Sequence, residues 1–131
     1  MRHLVLDASV VVRWFRTPAE PPGIALRSEF ESGRIAVTIP GLLFLELLNV
    51  AGRQWRWREE KLLEFAEKLD STRFELLEPD LGRVARWVAR GLTAYDASYV
   101  ALAEQLGIPL ITVDREILDA APGLARLPGT A

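Results

Sequence analysis

The sequence predicts an α/β fold built on a central, mainly parallel sheet of four or five strands. Short runs rich in Val, Ile and Leu alternate with segments of helical periodicity along the chain. Two of those runs end on an aspartate that can open the following helix, Asp7 and Asp114. No repeat, low-complexity tract or linker interrupts the 131 residues, so one domain spanning 1–131 is expected.

Leu4, Val5 and Leu6 read as a buried first strand, and Asp7 starts a helix over Ala8 to Phe15. Pro18, Pro21 and Pro22 are expected to form a loop. A second helix then runs from about Ile24, with Leu26 and Phe30 inward and Gly33 at its end. Ile35, Val37 and Ile39 alternate with Ala36 and Thr38 as a strand that Pro40 terminates. From Gly41 to about Arg53, GLLFLELLNVAGR is apolar on nearly every side and predicts a helix buried in the middle of the domain. A helix pair separated by little follows Gly52, its second member over Glu59 to Ser71 with Leu62, Phe65, Ala66 and Leu69 inward.

Phe74, Leu76 and Leu77 predict an edge strand. Pro79 and Asp80 open a helix carrying Val84, Trp87 and Val88, which Gly91 closes. Thr93 starts the next helix, with Ala97, Val100, Ala101 and Leu102 toward the core and Gly107 as its stop. Leu110 to Val113 form a buried strand after Pro109, a short helix runs to about Ala121, and Leu124 to Leu127 add a final strand.

Composition narrows the chemistry. The chain has no cysteine, which excludes disulfides, thiolate metal sites and a catalytic thiol. One histidine, His3, leaves no imidazole pair and no His cluster for zinc; it reads as a packing or surface residue. A net charge of −2 gives no global attraction to nucleic acid. The longest uncharged run, Ile35 to Leu45, is far short of the ~20 apolar residues that span a bilayer. Asp7 and Arg13 interrupt the apolar stretch an export signal would need, so a soluble, cytoplasmic protein with no membrane partner is expected.

Four carboxylates stand out. Asp7 and Asp114 follow buried strands, and in open α/β sheets ligands bind beyond the carboxyl ends of the strands. Each alone is explained as a helix cap, worth about 1 kcal/mol. Asp96 fits a capping box opened by Thr93. Glu46 has no such explanation: Leu42 to Val50 surround it with apolar residues, so its charge needs neutralisation, an Arg partner or a cation. Asn49, one turn on, shares its helix face. If the four acids converge, their repulsion calls for a cation, and an all-oxygen site selects Mg²⁺ or Mn²⁺. The chemistry such ions support best is water attack on a phosphodiester.

LVLDAS at the start, ELLN in the third helix and LTAYDASYVALAEQLGIPLITVD near the end, in this order and separation, make the chain resemble the PIN-domain nucleases. Within them it is similar to the VapC-type toxins of bacterial and archaeal toxin–antitoxin pairs. The resemblance runs from Arg2 to about Arg126. It implies a three-layer α/β/α fold, with Asp7, Glu46, Asp96 and Asp114 as catalytic metal-binding acids and Ser9, Asn49 and Thr112 as polar residues supporting them. It further implies Mg²⁺-dependent endoribonuclease activity, an RNA substrate, a homodimer and a small cognate antitoxin that covers the active groove. Some relatives carry one more acid after the last, and here Glu116, Asp119 or neither could fill that place.

Gly52 to Lys61, GRQWRWREEK, sets Arg53, Arg56, Arg58 and Lys61 beside Trp55 and Trp57. Such a segment can grip RNA or anchor an antitoxin or second subunit, and Glu59 and Glu60 favour the protein partner. Arg83, Arg86 and Arg90 recur at helical spacing and read as a solvated face; Trp14 and Phe15 read as core or dimer contacts. Two rival functions are a catalytically silent binding module, with its acids retained as caps, and a haloacid-dehalogenase-like phosphatase. The latter expects a second Asp where Ser9 stands.

Overall fold

The computed structural model describes residues 1–15 and 21–129, the side chains of Pro21 and Pro22 excepted. Five strands, β1 (Arg2–Leu6), β2 (Ile35–Ile39), β3 (Glu75–Leu76), β4 (Leu110–Ile111) and β5 (Ala125–Arg126), form one sheet in the order β3-β2-β1-β4-β5. Every neighbouring pair is parallel, with Leu4 opposite Val37 and Leu6 opposite Ile111.

The helices are α1 (Ala8–Phe15), α2 (Pro21–Glu31), α3 (Leu42–Arg53), α4 (Glu59–Asp70), α5 (Leu81–Ala89), α6 (Ala94–Leu106) and α7 (Arg115–Ala120). Parallel strands require crossovers, and these are right-handed almost without exception. The steps β1 to β2 to β3 run one way along the sheet, so α1 to α4 cover one face. The steps to β4 and β5 run the other way and place α5 to α7 on the opposite face. Packing agrees, with α1 against α2 and α3 on one side and α5 against α6, which lies on β1 and β4, on the other. The result is the expected three-layer arrangement.

Several expectations are corrected in detail. Pro21 and Pro22 belong to α2 rather than to a loop, because proline's fixed φ and missing N–H suit the first turn of a helix; Pro18 lies outside the described residues. The strands predicted over Leu110 to Val113 and Leu124 to Leu127 pair over only two residues each.

The helix buried on all sides is α6, not α3. Residues 97–103 of α6 are buried without a break, and the small side chains of Ala97, Ser98, Ala101 and Ala103 let its backbone approach both sheet and α5. In α3, Leu43, Leu47 and Ala51 face inward while Leu45, on the far side, is 70% exposed.

The core unites β1, β2 and β4 with the inner faces of both helical layers. Trp14 is buried within an aromatic group that includes Phe30 and Phe74, with centroids 5.5 and 6.0 Å away. Trp55 and Trp57, which the sequence offered to a partner, are half-buried and packed on each other at 5.1 Å. Phe65 lies edge-on to Trp57, and the Lys61 ammonium sits 4.1 Å from the Trp57 ring centroid. On α5, Arg86 and Arg90 are exposed, in keeping with a solvated face, while Arg83 is half-buried and pairs with Glu104 at 3.2 Å, and the Arg90 guanidinium lies 4.6 Å from the Trp87 ring centroid. Among the described residues no helix is long and apolar enough to cross a membrane.

Candidate active site

The strand order reverses between β1 and β4, the junction where an open α/β sheet leaves a crevice beyond its carboxyl ends. Asp7 lies one residue past β1. The register that pairs Leu6 with Ile111 sets Asp7 beside Thr112, three residues after Pro109. Asp7 is 4% exposed, and among the described residues its side chain accepts from no backbone N–H of a helix start. Ser9 Oγ donates to its Oδ1 at 2.6 Å and Thr112 Oγ1 donates to its Oδ2 at 2.7 Å. The two hydroxyls are themselves fixed, since Val113 N donates to Ser9 Oγ at 3.1 Å and Asp114 N to Thr112 Oγ1 at 2.9 Å. Burial pushes the Asp7 carboxyl up to about 6, and the charges of Asp114 and Asp96 add to the rise that the two hydroxyls oppose.

Asp114 does act as a cap: its Oδ1 accepts from Glu116 N at 2.9 Å and Ile117 N at 3.2 Å. Asp96 stands in the first turn of α6, where Thr93 Oγ1 accepts from its backbone N–H at 3.1 Å. Its carboxyl is raised by burial first, then by Asp114 and Glu116. Glu46, half-buried on α3, is raised by burial and by Asp96, against the hydrogen bond that the Tyr99 hydroxyl donates to its Oε1.

The structure therefore brings Asp7, Glu46, Asp96 and Asp114 into one electrostatically coupled group, with Ser9 and Thr112 directly on Asp7. It does not bring Asn49 in: that side chain is exposed and makes no hydrogen bond to Glu46. Glu116 is exposed but close enough to raise Asp96, whereas Asp119 is exposed and takes no part in these couplings. Tyr99 was missed by sequence reasoning. Its signal was its position three residues after Asp96, which sets both on one helix face.

As placed, no three His, Asp or Glu side chains among the described residues stand in a metal-ligating arrangement. The donor chemistry fits a hard divalent ion: carboxylate oxygens only, one carboxyl nearly withdrawn from water, with Asp96 raising the proton affinity of Asp7 and Glu46 and Asp114 raising that of Asp7 and Asp96. A cavity of about 670 Å³ lies elsewhere, lined by Met1, Ile35, Phe30 and Phe15 at the amino ends of the strands, and none of the four acids borders it.

A family model described as PIN domain matches residues 4–123. Over 52 residues the chain is 52% identical to a protein named Exonuclease VapC9 of Pyrobaculum aerophilum, covering 38% of this chain and 39% of that protein. Over 65 residues it is 38% identical to Ribonuclease VapC3 of the same organism, covering 50% of this chain and 48% of that protein. The matches thus span less than half the length of either curated relative. The crystal structure of PAE2754 from Pyrobaculum aerophilum is similar with a TM-score of 0.73 at 27% identity, over 98% of this chain and 91% of that one. A toxin–antitoxin complex from Klebsiella pneumoniae contains a chain of like fold, with a TM-score of 0.62 at 17% identity over 95% and 97% of the two chains. With a match that takes in nearly the whole chain and a sheet that places its acids at the switch point, this protein belongs to the PIN domain family.

Proposed function

We propose that this chain is a metal-dependent endoribonuclease and the toxin component of a toxin–antitoxin pair, cleaving RNA phosphodiesters with metal-activated water in the cytoplasm. The observation that carries the reading is Asp7, a buried carboxylate bonded to two hydroxyls and crowded by the charges of Asp96 and Asp114. A silent module that kept its acids as caps does not account for it, since among the described residues its side chain accepts from the Ser9 and Thr112 hydroxyls and from no backbone N–H.

Asp7, Glu46, Asp96 and Asp114 are the residues that would hold the ion, Mg²⁺ with Mn²⁺ as a substitute; PIN nucleases generally use divalent metals. When bound, such an ion lowers the pKa of water and neutralises phosphate charge. The rest falls to this chain's own groups. Ser9 and Thr112 fix both oxygens of Asp7, and the first turn of α7 fixes Asp114 through two backbone N–H groups. His3, exposed at the start of β1, stands at the opposite end of that strand from Asp7, so no imidazole serves as a base.

The names of the curated relatives support nuclease chemistry on RNA, and the toxin–antitoxin complex of like fold supports a small antitoxin partner. Leu45 and Tyr95, 70% and 65% exposed, directly precede Glu46 and Asp96 and border the acids with apolar surface that an antitoxin can cover. A homodimer belongs to the same reading.

The test is incubation of the purified chain with a circular RNA, with Mg²⁺ and with excess chelator. Linearisation in Mg²⁺ that the chelator stops is the expected result. Linear RNA shortened from its ends while the circle stays intact would replace the endonuclease reading with an exonuclease. Intact RNA of both kinds would remove the nuclease reading.

A further inference from the structure

We propose that Tyr99 is a positioning residue for the metal centre, its buried hydroxyl holding Glu46 by one carboxylate oxygen and leaving the other to face the cluster formed with Asp7 and Asp96. The inference rests on the metal-dependent reading above and goes beyond the four acids.

Three features carry it. The first is placement: Tyr99 sits on α6 one turn after Asp96, while Glu46 comes from α3 in the opposite helical layer. Their hydrogen bond therefore passes beyond the carboxyl end of the sheet and ties the two layers together at the site. The second is burial. Tyr99 is 1% exposed, so its ring is held by the core and its hydroxyl has little freedom to follow a moving carboxylate. The third is the partner list of Glu46. Among the described residues its Oε1 accepts from Tyr99 and its Oε2 accepts no hydrogen bond.

A long, flexible side chain such as that of Glu46 is a poor ligand unless something fixes its rotamer. Ser9 and Thr112 do this for Asp7, and a backbone cap does it for Asp114. Tyr99 supplies the equivalent restraint for Glu46. The hydroxyl remains a neutral donor, because burial and the surrounding carboxylates push its proton affinity up.

A bond that only filled a donor's need in the core would affect folding and leave metal affinity alone. Removal of groups that orient metal ligands typically weakens metal binding by about 10–100-fold. The experiment is Mn²⁺ titration calorimetry on the unaltered chain, Tyr99→Phe, Glu46→Gln and the double variant, with thermal melting of each in chelator. Tyr99→Phe should melt as a folded protein and bind Mn²⁺ about 10-fold or more weakly. In the Glu46→Gln background the same change should have no further effect, because Tyr99 acts through Glu46. Affinity within about twofold of the unaltered chain, or losses that multiply in the double variant, overturns the role of Tyr99.

A second measurement needs no Tyr99 variant. The chain has two tyrosines, and Tyr95 is largely exposed. Mg²⁺ addition to Tyr95→Phe should give a tyrosine difference spectrum that disappears when Glu46→Gln is added. A spectrum unaffected by Glu46→Gln, or none at all while Mn²⁺ still binds, counts against the proposal. If the unaltered chain takes up no Mn²⁺, the metal reading itself fails and the role of Tyr99 falls with it.

Discussion

Replacing Asp7 by Asn should make the metal-free protein more stable at neutral pH, although the side chain removed is buried and accepts two hydrogen bonds. In the folded chain the carboxyl titrates near 6 rather than at its ordinary 3.8. Between those values the folded state binds more proton than the unfolded state, so this group makes stability fall as pH rises through that window. Above it the ionised carboxylate destabilises the fold by about 3 kcal/mol, at about 1.4 kcal/mol per pH unit. Asn carries no charge and removes that cost. Its amide oxygen can accept from Ser9, while its amide N–H must donate to Thr112 Oγ1, which already accepts from Asp114 N. The Thr112 proton then turns toward Ser9 Oγ, 3.3 Å away, a weaker arrangement costing about 1 kcal/mol.

The net expectation is a gain of about 1–2 kcal/mol near pH 8, turning to a small loss near pH 4, where the carboxyl is already protonated in the folded chain. Urea denaturation in chelator at both pH values measures it. A variant less stable than the parent by the same amount at both would refute the charge argument and leave Asp7 as an ordinary hydrogen-bonded core residue.

Asp114→Asn should keep its melting temperature within a few degrees, since Asn caps a helix about as well as Asp, yet lose Mg²⁺-dependent RNA cleavage by about 100-fold or more; retained cleavage would exclude Asp114 from the metal set. Thr112→Val, isosteric at a fully buried position, removes the donor to Asp7 and strands the Asp114 N–H, and should cost about 1–3 kcal/mol in urea denaturation. An unchanged denaturation curve would show that those bonds contribute nothing net. Gly107→Ala should cost about 1 kcal/mol by the same assay from backbone strain alone, because Gly107 ends α6 at φ +67° with open space around the added methyl.

Most elements were legible in the sequence because their signals are local. Thr93, Asp80 and Asp114 mark helix starts through side chains that do accept the expected backbone N–H bonds, and Gly107 marks a helix end through its left-handed conformation. The difference between α3 and α6 was not local. A leucine-rich helix and an alanine-rich helix both read as apolar, and which one is enclosed depends on how closely each backbone can approach its neighbours. The packing of Trp55 and Trp57 was hidden for a similar reason: Trp57 lies against Phe65, a turn and a half into the next helix. In the candidate site, Asp7 and Thr112 are 105 residues apart in sequence, and the bond between them follows from strand order, which no motif spacing encodes. The Tyr99 to Glu46 bond joins two helical layers and was hidden for the same reason.

The acids differ in how far folding alone explains them. Asp114 has a structural reason to be where it is, for a helix start needs an acceptor. Thr93 supplies the cap at α6, so Asp96 is not needed there as one, and its proton affinity is raised by burial and by like charges nearby. Asp7 is the extreme case. A neutral amide could accept from Ser9 and leave Thr112 to turn toward Ser9 Oγ at a cost smaller than that of the charge, yet the chain places a carboxylate there whose ionisation works against folding. A group that destabilises the fold at neutral pH, set at the switch point of the sheet within reach of the like charges of Asp96 and Asp114, is the part of this sequence that stability does not account for. A bound cation reverses the sign of that energy, so a metal-induced rise in thermal stability that Asp7→Asn abolishes would join the electrostatics to the chemistry.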